Sequence, residues 1–441
     1  MKNFTQIGII FLFFIANSSA QQEKGIFGQE NWLNNWTEFK SNKKDYGEAT
    51  QILTGNISQY KKLYSKDVYL LLGDVFVTNN AVLEIEQGTV IIGDKKTKGS
   101  LTITKGSKII ANGSETNPIV FTSNRGVKKA GDWGGIVILG DAPNSKFGNG
   151  SVTPYYPNLH SNEYANVNYG GQDSLSNSGL LKNVRIEYAG RQIGDDRYFS
   201  GLLLASVGSK TRITNVMVSN SGGNSFEVWG GKLVLNKLVS YRSNGNDFEF
   251  NQGTEALLEN SLAIRSPYIS NTNGSRCLKI KSYDDKADFD FNRSKTFVSA
   301  KNLTFINESE NLESDIKMNL IREAIHVGEN ALLTMSKSVV SGFNPAVILE
   351  NKIIINQENL ERIKFSEMYF NNCNGNIFVE YDSNNEDLEN WYGNSAFSNV
   401  YSNSANYETF IETRRNKRPD FRLRINKIIA SNEVDSGMRV D

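Results

Sequence analysis

Eight carboxylates lie in or beside stretches that otherwise read as apolar strands: Asp132, Asp173, Glu187, Asp195, Asp196, Glu227, Asp247 and Glu249. Two carboxylates held roughly 5–9 Å apart can serve as acid and base in glycoside cleavage. The same oxygens can hold Ca²⁺. Glu187, Glu227, Asp247 and Glu249 form the candidate acidic column. Glu187, Glu227 and Glu249 would stand about 4.8 Å apart if they occupy equivalent points on successive coils. The plainer reading is a solvated face on which Arg185, Arg191 and Arg197 neutralise them. No residue is assigned a catalytic role and no metal site is assigned. Ca²⁺ is the one ion the column suggests, and no other cofactor is expected.

A second set is aromatic. Tyr155, Tyr156, Tyr164, Tyr169, Tyr188, Tyr198, Phe199 and Trp229 fall in or beside a long insertion between Pro143 and Gly201. Exposed rings stack on sugars or anchor proteins, so Tyr164, Tyr169, Tyr198 and Trp229 are the candidate aromatic binding loop. The alternative is a side layer covering the scaffold. Cys277, Cys373, His160 and His326 lack the spacing of a zinc site, and the two thiols read as unpaired and buried.

"GDWGGIVILGDAP", Gly131 to Pro143, has the glycines of a phosphate loop, but they precede a strand and no Lys-Ser/Thr follows. Phosphate loops place their glycines after a strand, at the start of a helix. Asp132, Trp133, Gly134 and Gly135 therefore read as a structural corner, where Gly tolerates close backbone approach.

The elements that would position these residues are short strands. Gly, Asn and Ser are plentiful and Pro is scarce, which suits strands joined by turns. Lys+Arg and Asp+Glu both count 48, so charge singles out no nucleic-acid partner. Residues 1–20 read as a signal peptide: Lys2, the apolar run Ile7–Ala16, then small residues ending at Ala20. That run is too short to span about 30 Å of hydrocarbon, and no later segment reads as a membrane span. The expected location is the periplasm, the outer membrane or the cell exterior.

Repeats then organise the chain. "LEIEQGTVIIG" from Leu83 returns as "LTITKGSKIIANG" from Leu101, 18 residues on. A second phrase recurs as "LKNVRIEYAG", "ITNVMVSNSG", "LNKLVSYRSN" and "LENSLAIRSP", then more weakly as "AKNLTFINES", "MSKSVVSGFN", "FSEMYFNNCN" and "FSNVYSNSAN". Asn215, Lys237 and Asn260 anchor it at steps of 22 and 23. Such a period predicts a solenoid. Leucine-rich repeats would need a Leu ladder and a helical half, and propeller blades a longer period. The expected fold is all-β, a right-handed parallel β-helix with an N-terminal cap.

Several phrases together resemble a family of secreted right-handed parallel β-helix proteins common in Bacteroidota. They are "TVIIGDKKTKGSLTITKGSKIIANGSETNPIVFTSN", "GDWGGIVILGDAP", "YGGQDSLSNSGLLKNVRIEYAG" and "NSFEVWGGKLVLNKLVSYRSNGNDFEF". The resemblance is strong over Ile52–Ser266, weak elsewhere, and implies a fold and an exported location without an activity. Relatives carry a denser run of aspartates where this chain reads "GNDFEFNQG".

The expected division is residues 1–20 signal peptide, 21–66 N-terminal capping segment, 67–410 β-helix and 411–441 basic end-cap or tail. In that tail Phe421, Leu423 and Ile425 are expected to point inward. The expected function is an exported cell-envelope or secreted binding protein that engages glycan or an outer-membrane protein without catalysis. The alternatives are a polysaccharide lyase or glycoside hydrolase using the carboxylate column, and a structural accessory subunit. Oligomeric state is not readable from the sequence.

Overall fold

The computed structural model describes residues 23–271, 275–414 and 418–428. The expected signal peptide, and residues 415–417 and 429–441 of the expected C-terminal segment, lie outside the described residues. The fold is an all-β parallel β-helix. Each coil lays down three short strands, so the solenoid has three faces. In a coil such as Phe226–Tyr241, the strand Phe226–Trp229 lies on the first face, Lys232–Asn236 on the second and Val239–Tyr241 on the third. The first face is an 11-stranded sheet. The other two faces join in one 20-stranded sheet, because Gly179–Glu187 and Arg212–Ser219 each run unbroken across the corner between them.

The repeated phrase is that corner. Its third residue is left-handed in seven coils: Asn183, Asn215, Lys237, Asn260, Asn302, Lys337 and Glu367 have φ between +45° and +55°. A left-handed residue turns the chain within one step, and Asn tolerates it best after Gly. Residues on either side then alternate in and out with the strand period. Leu233, Leu235, Phe226, Val228, Phe248, Phe250 and Leu258 fill one continuous interior core. The second face is the solvated one: Lys232–Asn236 alternates exposed and buried, and Lys232 meets Glu255 of the next coil at 2.6 Å.

The termini differ from the expected caps. Strands Gln51–Leu53 and Lys61–Leu63 already pair with the next coil, so the solenoid begins well before residue 67. Residues 23–46 form a strap along the outer side of the third face. Gly25 N–H donates to Lys337 O at 2.7 Å, and Ser41 Oγ donates to Tyr188 OH at 2.9 Å. Ile26, Trp32, Leu33 and Trp36 pack there against Met217, Tyr241, Leu262, Ile264 and Ile306. These outward positions are apolar, so they need a cover, and the strap supplies it. The hairpin Phe410–Glu412 with Asp420–Leu423 covers the far part of the same stripe. Phe421 and Leu423 point inward as expected, but Ile425 is 58% exposed. The C-terminal end of the core is closed instead by the helix Glu386–Tyr392, through Leu388 and Tyr392. No helix of the described residues is long and apolar enough to cross a membrane.

Candidate functional site

The solenoid register separates the four candidate acids. Glu227 and Glu249 are direct partners on adjacent first-face strands, and Glu249 is followed by Lys279 and His326. Coil spacing of about 4.8 Å makes these four a ladder along the outside of one face. Glu187 is not in it. Glu187 lies on the third face beneath the strap, where its Oε1 meets Arg185 Nε at 3.4 Å and Tyr46 OH at 3.2 Å. Burial pushes the Glu187 carboxyl up, and the Arg185 charge opposes it. Asp247 is not in it either. Asp247 is wholly buried in the wall, paired with Arg265 at 2.9 Å and hydrogen-bonded by Ser240.

The aromatic residues explain where the ladder becomes accessible. Outward positions of the earlier first-face coils are mostly apolar, Phe76, Val137, Leu139, Leu203 and Ala205, and Thr102, between Phe76 and Val137, is satisfied by Tyr156 OH at 2.6 Å. The insertion folds back over them with Val152, Tyr155, Tyr156, Val167, Tyr169 and Phe199. Tyr169 and Trp229, expected as exposed binding residues, are buried in this layer. Their rings lie 6.0 Å apart, and Tyr169 OH donates to Gln252 Oε1 at 2.7 Å. They are buried because apolar strands beneath them require cover. Tyr164 is exposed on the turn Ser161–Val167, away from the acidic ladder's cleft. Tyr198 alone of the four lines that cleft.

The cleft opens where the aromatic layer stops. Its volume is about 400 Å³, and its wall carries Arg197, Tyr198, Asn224, Asn246 and Asn271 beside Glu227, Glu249, Lys279 and Lys281. Trp229 Nε1 donates to Glu227 Oε1 at 2.8 Å, and Ser200 Oγ donates to Oε2. Burial raises Glu227 to about 7, the Glu249 charge adds to the rise, and these two hydrogen bonds oppose it. Glu249 behaves in the opposite way. Burial would raise it, but Lys281 at 2.9 Å, Lys279 and the amides of Asn224 and Asn246 hold it well below the usual carboxylate range. Lys279 is lowered by burial, against the pull of Glu249. His326 is lowered to about 4 by burial and by the Arg276 charge. Neighbouring carboxyls pushed in opposite directions by their surroundings are the arrangement acid–base chemistry uses, and a wall of amides, charges and a phenol suits polyhydroxylated ligands.

No group of three or more His, Cys, Asp or Glu among the described residues is placed to hold a metal ion. Asp132–Gly135 serve the scaffold. Asp132 accepts from Ser123 Oγ at 2.7 Å and pairs with Arg125. Trp133 is fully buried in the interior, and its Nε1 donates to Glu187 O at 2.8 Å. A Cβ on Gly135, at φ +135°, would meet Ser200 O at 2.2 Å. Cys277 and Cys373 are both free thiols.

The comparison with known families matches the chain over residues 55–413 to a pectate-lyase-like β-helix domain. The chain belongs to this family. No curated protein and no solved structure matches it. Family members share a stacked-coil scaffold, and the match runs over nearly all of the coils described above, from the first strands to the hairpin. Lys279, Lys281, Asn224 and Asn246 escaped the sequence reading. The signal for Lys279 was present, one coil beyond Glu249, but the insertion between the two coils hid the register.

Proposed function

We propose that the protein is an exported glycan-binding β-helix of the cell envelope, and that its ligand lies in the cleft beside Glu227, Glu249 and Lys279. The observation that carries this reading is the change in the first face. Its outward row runs Phe76, Thr102, Val137 and Leu203 beneath the insertion, then Glu227, Glu249 and Lys279, which line the cleft. Both carboxylates are engaged by scaffold donors, so they shape the cleft and orient hydroxyls rather than attack them. Export rests on the sequence of residues 1–20, and the resemblance to the secreted Bacteroidota family supports it.

One observation favours polysaccharide cleavage as a second reading: Glu227 and Glu249 sit opposite each other on adjacent coils in environments that push their carboxyls in opposite directions, Glu227 up by burial and Glu249 down by Lys281 and Lys279. A glycan array probed with the purified protein tests binding. Hits lost in Glu249→Gln and in Tyr198→Ala support the cleft. Hits retained by both variants refute it. Incubating the positive glycans with the protein and measuring new reducing ends or unsaturated products separates the readings, because product formation abolished by Glu227→Gln makes the protein an enzyme.

A further inference from the structure

The chain's charge is balanced as a whole but not along its length. From Lys40 to Lys129 there are 14 basic and 8 acidic residues. The fold gathers much of this excess at one corner. The turns after the third-face strands Val90–Gly93 and Ile119–Ser123 stack on successive coils, joined by Lys95 N–H donating to Asn124 Oδ1 at 2.9 Å. The first turn reads "DKKTK" and the second "RGVKK". The strap brings Lys43 and Lys44 beside them, with Lys128 Nζ donating to Lys44 O at 3.2 Å.

Between strap and turns runs a groove of about 530 Å³, with Leu70 and Ile92 in its floor and Lys43, Lys44, Arg125 and Lys128 on its rim. Arg125 is held by Asp132 at 2.7 Å and Lys44 by Glu38 at 3.5 Å. Lys43, Lys95, Lys96 and Lys129 have no ion pair with a described residue. Asp45 and Glu48 are the acidic residues of the rim. At the tip of the second turn Val127 is 78% exposed between Arg125 and Lys128. An exposed aliphatic tip ringed by cations, above a groove with an aliphatic floor, matches the amphipathic boundary of an anionic membrane surface.

We propose that this corner docks the protein onto a membrane surface presenting phosphate-bearing anionic head groups. A head group enters the cationic rim, and Val127 reaches the acyl boundary. The residues of this corner and those that line the first-face cleft do not overlap. The proposal does not depend on what that cleft binds.

The test is flotation of the purified protein with vesicles of phosphatidylglycerol and phosphatidylcholine, against phosphatidylcholine alone. Partition onto the anionic vesicles only, weakened by raising the salt, is expected. Each lysine at such a surface contributes about fivefold, so the variant Lys43→Gln/Lys44→Gln/Lys95→Gln/Lys128→Gln should bind at least about a hundredfold more weakly. Val127→Ser, a change at an exposed side chain that leaves the fold intact, should lose about tenfold. Equal partition onto neutral vesicles overturns the proposal. So does wild-type binding by the folded quadruple variant, or absence of binding to anionic vesicles at low salt. Binding of inorganic phosphate with no vesicle partition also overturns it, and makes the groove a soluble-anion site.

Discussion

Removing Arg265 should expose how much the wall of the solenoid depends on one buried ion pair. Asp247 is 0% exposed, and among the described residues Arg265 is the only one paired with it as an ion. Arg265 also satisfies two backbone carbonyls, Gly245 O at 3.0 Å and Ser243 O at 2.9 Å. Arg265→Met keeps the volume but strands a carboxylate and two acceptors. Breaking a buried pair on one side costs about 3–5 kcal/mol. For about 400 folded residues that is a fall of roughly 4–6 °C in Tm. The pH dependence carries the sharper test. Burial already raises the Asp247 pKa in the folded state, opposed first by Arg265. Without Arg265 it rises further. A carboxylate raised on folding costs nothing below its unfolded pKa of about 3.9, and the cost grows by about 1.36 kcal/mol per pH unit up to the folded pKa. The destabilisation of Arg265→Met should therefore be largest at pH 7–8 and shrink toward pH 4. Asp247→Asn/Arg265→Met should recover part of the loss at pH 7 and show no such slope. Thermal and urea unfolding followed by circular dichroism, from pH 4 to pH 8, measure all three. A variant within about 1 kcal/mol of wild type at pH 7, or a penalty that does not shrink on acidification, would refute the reasoning.

Four further outcomes are expected. Glu227→Gln should remove a pH-dependent cost: because the folded Glu227 is raised to about 7, wild type loses stability between about pH 4.3 and pH 7 that the variant keeps, a gap of about 3–4 kcal/mol measurable by the same unfolding series. Trp36→Ala deletes a fully buried ring of the strap, should cost about 3–5 kcal/mol, and should make residues 23–46 the first site of limited proteolysis; unchanged protection would mean that the strap is held elsewhere. Lys237→Gly relieves a left-handed residue at φ +54° and should raise stability by up to about 1 kcal/mol, whereas Gly135→Ala, whose Cβ would meet Ser200 O at 2.2 Å, should lower Tm.

What the chain shows by itself is local. A corner residue such as Asn215 or Lys237 is selected for one backbone conformation, and the apolar residues beside it for one side of one strand. Both constraints act within a few residues, so the repeat and the coil fold can be read directly. The left-handed backbone of Gly135 is local in the same sense, but the close approach of Ser200 O that also excludes a side chain there comes from the next coil. Which coil stacks on which is not local. Inserted lengths differ between coils, so Glu187 and Glu227 look equivalent in sequence yet lie on different faces, while Lys279, 30 residues past Glu249, joins its ladder. The burial of Tyr169 and Trp229 followed from another distant fact, the mostly apolar outward row of the first face, which only assembled coils create. The strap is the extreme case. Gly25 bonds to Lys337, and Arg422 to Gly28, across separations at which no periodic pattern survives. Tertiary structure alone decided that these ends cover a side of the solenoid instead of closing its tip, because burial rewards the largest uncovered apolar stripe wherever the chain can reach it.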